Sequence, residues 1–180
     1  QNRIAVVKFA GNKTNSVGND QYRQSGYSYN YTQVVAKYKA YTSGTTSELK
    51  TKVNALKPAG CTAADYAMDL TKDLVDQSKT DANNNADRKN VKRVVIFFTD
   101  GEPNHQSGFV DDVANDAIKF AKDIKADADI YTIGIFSGSD VSITGHFGSG
   151  SWTDKEKFNA FMHGLSSNYP TAETYEKLGT

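Results

Sequence analysis

The sequence predicts an α/β domain, a doubly wound and mostly parallel sheet with helices on both faces, on three observations. Residues 3–9 (RIAVVKF), 91–99 (VKRVVIFFT) and 129–136 (DIYTIGIF) are nearly continuous apolar, β-branched runs, the pattern of strands buried on both faces of a parallel sheet. Helical periodicity fills the chain between and after them, at about residues 63–78, about 110–126 and from Thr153 onward. Strands alternating with amphipathic helices make βαβ units. In such sheets ligands bind beyond the carboxyl ends of the strands, which directs attention to the loops after Phe9, Phe98 and Phe136 and to the helix start near Thr62.

Each element has a local reason. The first strand closes at Ala10-Gly11-Asn12, and residues 11–26, rich in Asn, Ser, Gly and Gln, read as a long surface loop. Tyr27, Tyr29 and Tyr31 alternate with polar residues and residues 34–41 are similarly mixed, which predicts one or two antiparallel or edge strands. Those tyrosines form either one face of a half-buried strand or an exposed binding platform. A helix over about residues 47–56 follows, with Thr45 and Glu48 at capping-box spacing and Leu49, Val53 and Leu56 on one face. Residues 57–60 (KPAG) break it. The next helix turns Ala67, Leu70 and Leu74 inward, and residues 81–90 (DANNNADRKN) read as a polar linker. The helix over 110–126 presents Val113, Ala117, Phe120 and Ile124, and residues 137–151 read as a Gly- and Ser-rich loop. Thr153 and Glu156 repeat the capping-box spacing and open a helix that buries Phe158, Phe161, Met162 and Leu165.

Composition excludes several function classes. Over 180 residues, 21 acidic and 21 basic side chains balance, so no net field favours nucleic acid or an acidic membrane surface. No apolar run reaches the roughly 18 residues that span a bilayer. A single cysteine, Cys61, rules out an internal disulfide and reads as a small packed residue. His105, His146 and His163 are too scattered for a zinc site or a catalytic dyad. The start at Gln1, almost directly in a strand, reads as a piece excised or processed from something larger.

Two residues carry the chemistry the sequence offers. Asp100 emerges just past the apolar run of VVIFFTDGEPN and is followed at once by Gly101, which places a carboxylate where it can face a cation or polar ligand. Thr62, in the small-residue turn GCTAA, delivers a hydroxyl at a helix start. Each also has a plain structural reading, Thr62 as a helix N-cap and Asp100 as a turn residue bonding its own backbone.

Together, RIAVVKFAG, GCTAADYAM, FFTDGEPN and IYTIGIF stand in the order that resembles a von Willebrand factor A domain, and FNAFMHGLSSNYPTA is similar to versions in surface and pilus-associated proteins of Gram-positive bacteria. The resemblance covers nearly the whole chain as one partial domain. It implies a Rossmann-like α/β fold and a non-enzymatic adhesion module at the cell surface, in a cell-wall-anchored parent. Such a module binds a protein or extracellular-matrix ligand through a metal-ion-dependent adhesion site holding Mg²⁺ or Mn²⁺. Three loops build that site, with Asp-x-Ser-x-Ser on the first, a Thr matched by Thr62 on the second and an Asp matched by Asp100 on the third. An acidic side chain of the ligand then completes the octahedral shell that Mg²⁺ prefers.

The first loop is missing, because in the family it ends a strand that precedes RIAVVKF. Asp140, Ser142 and Thr144 carry the letters of that loop but follow a strand of the far half of the sheet, where Ser/Gly loop chemistry explains them better. The chain therefore reads as truncated at its N-terminus and short of a central strand between residues 3–9 and 91–99. Two expectations follow: metal binding is weak or absent, and the bordering strands close on each other or self-association covers the gap. The rival readings are a structural pilus subunit, a docking role inside an intracellular complex, and an α/β enzyme using Asp100 as base or nucleophile. The last has no G-x-S-x-G elbow, P-loop or triad behind it.

Overall fold

The computed structural model describes residues 2–135 and 153–168. Strand β1 (Arg3–Lys8) pairs antiparallel with β5 (Thr32–Ala40), whose other edge carries β2 (Lys13–Val17) in parallel. Between them, β3 (Gln21–Gln24) and β4 (Tyr27–Asn30) form a hairpin. Strands β6 (Val94–Thr99) and β7 (Asp129–Gly134) pair in parallel and in unbroken register, from Val94 opposite Asp129 to Thr99 opposite Gly134. The helices are α1 (Thr46–Asn54), α2 (Ala64–Asn84), α3 (Asp111–Lys125) and α4 (Asp154–Leu165).

The core lies where α2, α3 and α4 meet the inner face of β6 and β7. Small side chains bring the helices together: Ala64 and Ala67 of α2, and Ala114, Ala117 and Ala121 of α3, are all buried. Ile118, Ile130, Phe158, Phe161 and Leu165 fill the space between. Phe161 sits edge-on to both Phe97 and Phe109, with centroids 6.0 and 6.5 Å away, the geometry that aromatic quadrupoles favour. The capping box on α4 forms as the sequence predicts: Glu156 N–H donates to the Thr153 hydroxyl, and Thr153 N–H donates to the Glu156 carboxylate.

Several expectations need correction. The stretch 11–26 is not one loop, since it carries β2 and β3. Here alternating polar side chains lie on thin, largely exposed strands, a pattern that composition cannot separate from loop. At α1, Thr45 makes no capping bond; its hydroxyl accepts from Thr42 N–H, while Glu48 pairs with Lys39 at 2.9 Å. The Asn-rich stretch does not all fall in a linker, because α2 runs on through Asn84 before a short 3₁₀ turn at Ala86–Arg88. Arg88 and Arg3, both paired with Asp81, tie that last turn of α2 down.

The apolar runs 91–99 and 129–136 are covered on one face only among the described residues. Phe97, Thr99 and Ile130 are buried, but Ile96 and Phe98 are 65% and 53% exposed, and Tyr131 and Ile133 are exposed beside them. Helices on both faces, and with them the doubly wound arrangement, are therefore not seen in the described part. Nor do β1 and β6 close on each other: no ladder joins them, and a cavity of about 760 Å³ separates them. The tail beyond 168, the 137–151 loop and the Asp140-Ser142-Thr144 segment lie outside the described residues.

Candidate functional site

The carboxyl ends of β1 and β6 are drawn together by the segment between α1 and α2. Gly60, at φ +127°, makes the turn there, with Ala10 and the Tyr29 ring so close that a side chain would crowd them. Ala63 N–H then donates to Ala10 O at 3.0 Å. Thr62 and Asn104 exchange backbone hydrogen bonds at 3.2 and 2.9 Å, an isolated antiparallel bridge. The loop of Thr62 is thereby fixed to the loop of Asp100.

That bridge places the Thr62 hydroxyl directly against Gly101: a methyl group on Gly101 would lie 2.8 Å from Thr62 Oγ1. Neither plain reading of the two residues holds. The N-cap position of α2 is Ala63, with no side-chain capping bond, so the Thr62 hydroxyl is not consumed by the helix. The turn after β6 is held by Thr99, whose hydroxyl accepts from Gly101 N–H at 3.2 Å and also reaches Gly101 O. Asp100 is exposed, so its carboxylate remains in solvent beside that turn.

Sequence reasoning missed several neighbours. The missing side chain of Gly101 is what lets the two loops touch. Asn104 is 8% exposed; its Nδ2 donates to Glu102 O, but its Oδ1 is buried without a hydrogen-bond partner among the described residues. Burial, with Asp154 nearby, raises the Glu102 carboxyl above its ordinary range. His105 is not isolated: Nε2 lies 2.9 Å from Asp65 Oδ1, and the ring stacks on Tyr66 with centroids 4.7 Å apart. Forty residues separate those partners in sequence, so no local spacing signals them. They border an acidic cleft of about 400 Å³ that also includes Asp112 and Asp116. Cys61 donates to His105 O at 3.1 Å, and burial raises its thiol, which keeps it protonated and unreactive.

A divalent ion of the Mg²⁺ type takes hard oxygen donors. Thr62 and Asp100 are donors of that kind, and the unpartnered Asn104 oxygen shows that this corner has polar capacity to spare. The set is nonetheless short of a full shell, and among the described residues no group of three or more His, Cys, Asp or Glu side chains is placed to hold a metal. The residues fit part of a coordination shell and supply no more than that. On the far side of Gly60, Tyr22 packs against Tyr29 and Tyr31, with centroids 5.6 and 4.7 Å away. The hairpin thus forms a small aromatic wall beside the site, with Tyr27 at its tip 70% exposed. No helix of the described residues is long and apolar enough to cross a membrane.

Comparison with protein-family models matches residues 2–168 to the von Willebrand factor type A domain. No curated protein and no solved structure matches the chain. Domains of this type have an α/β Rossmann-like fold, commonly mediate adhesion and protein interactions, and often bind Mg²⁺ or Mn²⁺ at a metal-ion-dependent adhesion site. The match takes in both loops joined at Thr62 and Gly101, and the chain belongs to the von Willebrand factor type A domain family.

Proposed function

We propose that this chain forms a non-enzymatic adhesion module of a bacterial surface protein, binding a protein or matrix ligand at the sheet end where the loops of Thr62 and Asp100 are joined. One observation carries the reading: the loop of Thr62, whose hydroxyl does not cap α2, is bridged to the loop that follows β6 and lies against Gly101, the neighbour of Asp100. In the intact domain the oxygens of Thr62 and Asp100 hold part of the shell of Mg²⁺ or Mn²⁺, and an acidic side chain of the ligand adds another. In the present chain the ion is held weakly or not at all. The extracellular setting and the cell-wall-anchored parent follow from the same reading.

The test displays the full-length protein on cells and measures attachment to immobilised matrix proteins with Mg²⁺ or with EDTA. Attachment lost in EDTA and reduced at least tenfold by Asp100→Ala supports the proposal. Attachment indifferent to both refutes metal-dependent adhesion and favours a structural pilus or surface subunit. The exposed apolar face formed by Ile96, Phe98, Tyr131 and Ile133 favours that second reading, as a surface for packing against neighbours.

A further inference from the structure

Charge is divided unevenly along the chain. Residues 1–60 carry nine basic and two acidic side chains, whereas the residues after them carry twelve basic and nineteen acidic ones. A chain of zero net charge therefore holds two regions of opposite sign.

The fold sorts the nine cations by face. β5 is the middle strand of its sheet, with α2 against one face and α1 against the other. Arg3 and Lys13 lie on the α2 side, where Asp81 and Asp69 of that helix pair with them. Tyr38 of β5 turns the same way, its hydroxyl 3.1 Å from Ser78 Oγ. Side chains alternate along a strand, so Lys37 and Lys39 turn to the α1 side. There Lys39 pairs with Glu48 at 2.9 Å, and Lys52 of α1 donates to Val35 O at 3.5 Å. Lys37 is exposed beside them, as are Lys50 on α1 and Lys57 just beyond its end.

Two carboxylates oppose these lysines. Glu48 is held between Lys39 and Lys52. Asp20 accepts from Ser16 and Gln33, and the Lys8 ammonium donates to its backbone oxygen at 2.9 Å. With Lys8 counted, six lysines face two carboxylates, an excess of four positive charges. Among the described residues no ion pair ties down Lys37, Lys50, Lys52 or Lys57. From Lys8, near Gln33 in register, to Lys39 the basic row runs about 20 Å along β5.

The composition of this surface selects its partner. It is built of lysine, without the arginine forks or exposed aromatic anchors that hold folded protein partners. Val53, the one exposed large apolar side chain of α1, lines the cavity beside β1, so the helix offers no apolar face to a bilayer. Point charges on flexible stems suit anionic groups repeated along a flexible polymer. We propose that the α1–β5 surface binds a sulfated polysaccharide, with Lys37, Lys50, Lys52 and Lys57 as the contacting cations. The choice of a sulfated matrix polymer rests on the extracellular reading above, while the surface itself requires neither Thr62 nor Asp100. The acid-rich remainder of the molecule is repelled by the same polymer, which orients the chain with this face toward it.

Dextran sulfate is the probe and neutral dextran its control, each titrated into the 180-residue chain. EDTA is present throughout, so failure of metal-dependent adhesion and failure of this surface are read separately. Dextran sulfate is expected to bind and dextran not, with affinity falling about tenfold or more between 50 and 200 mM salt. Lys50→Glu combined with Lys57→Glu should weaken binding about tenfold or more. Lys119→Glu combined with Lys155→Glu makes the same change in net charge at exposed positions of α3 and α4, and should alter binding less than about twofold. No binding of dextran sulfate at about 50 mM salt would overturn the proposal. So would an equal loss in the two double variants, which would assign the effect to net charge and not to this face. Tighter binding of anionic phospholipid vesicles or duplex DNA, at equal concentration of anionic groups, would overturn it too and give the face to a membrane or a nucleic acid.

Discussion

Replacing Lys125 by methionine removes an amine that burial holds well below its ordinary range. Lys125 lies on the last turn of α3, half-buried against α4, and its ammonium donates to Gly164 O at 2.7 Å. Burial lowers its pKa from 10.5 to about 8. Because the folded value is the lower one, the unfolded chain binds more protons between about pH 8 and 10.5, and stability rises with pH across that window. Below pH 8 both states are charged and the full desolvation cost is present; above 10.5 both are neutral and it is gone. Taken at face value the displacement corresponds to about 3 kcal/mol, and partial exposure to solvent reduces this to about 1–2 kcal/mol. The variant also forfeits the bond to Gly164 O, which weakens as the ammonium loses its proton and offsets the rise by less than about 1 kcal/mol. Urea denaturation of both proteins, with reductant to protect Cys61, should therefore show wild type gaining about 1–2 kcal/mol on Lys125→Met between pH 7 and 10.5. Surface lysines whose ion pairs raise their pKa, such as Lys72 and Lys79, titrate equally in both proteins and cancel. A difference that stays constant over the window would refute the argument.

Three further outcomes can be measured. Phe161→Ala, at a fully buried ring shared by α4, β6 and the segment before α3, should cost about 3–5 kcal/mol in urea denaturation; a loss under about 1 kcal/mol would mean that α4 does not pack there. Gly101→Ala should cost about 1–3 kcal/mol by forcing a methyl onto the Thr62 hydroxyl. Adding Thr62→Ala should recover part of it, whereas additive effects within about 0.5 kcal/mol would show that the two loops do not touch. Calorimetric titration of the chain with Mg²⁺ or Mn²⁺ should reveal no binding tighter than about 1 mM, and tight binding abolished by Thr62→Ala or Asp100→Ala would contradict the partial shell.

The α/β character and most element positions were legible in sequence because they rest on local signals. Val113, Ala117 and Ile124 mark the buried face of α3 at helical spacing, and Thr153 with Glu156 marks the start of α4. The capping-box spacing at Thr45 and Glu48 misled, because Lys39 from the neighbouring strand competes for the carboxylate and the hydroxyl turns back to Thr42. A spacing rule knows nothing of either partner. In the site, Asp100 and Thr62 were visible as residues following a strand and preceding a helix. Asn104 and the Asp65–His105 pair were not, because each gains its surroundings only when the loop after β6 folds back on the start of α2.

The expectation for β6 is the most instructive. An unbroken apolar run reads as a strand buried on both faces, yet Ile96 and Phe98 are exposed while Phe97 between them is buried. The chain spends bulky apolar residues on a face and an edge that nothing among the described residues covers, and it does so along the very strand that carries Asp100. Isolated exposed apolar residues are ordinary, but here they share a sheet face with Tyr131 and Ile133 and flank a slot with unpaired backbone along it. A sequence built for the conformation described would place polar side chains at those alternate positions. The alternate positions of β6 thus present an apolar face suited to further contact, on the strand whose carboxyl end leads into Asp100.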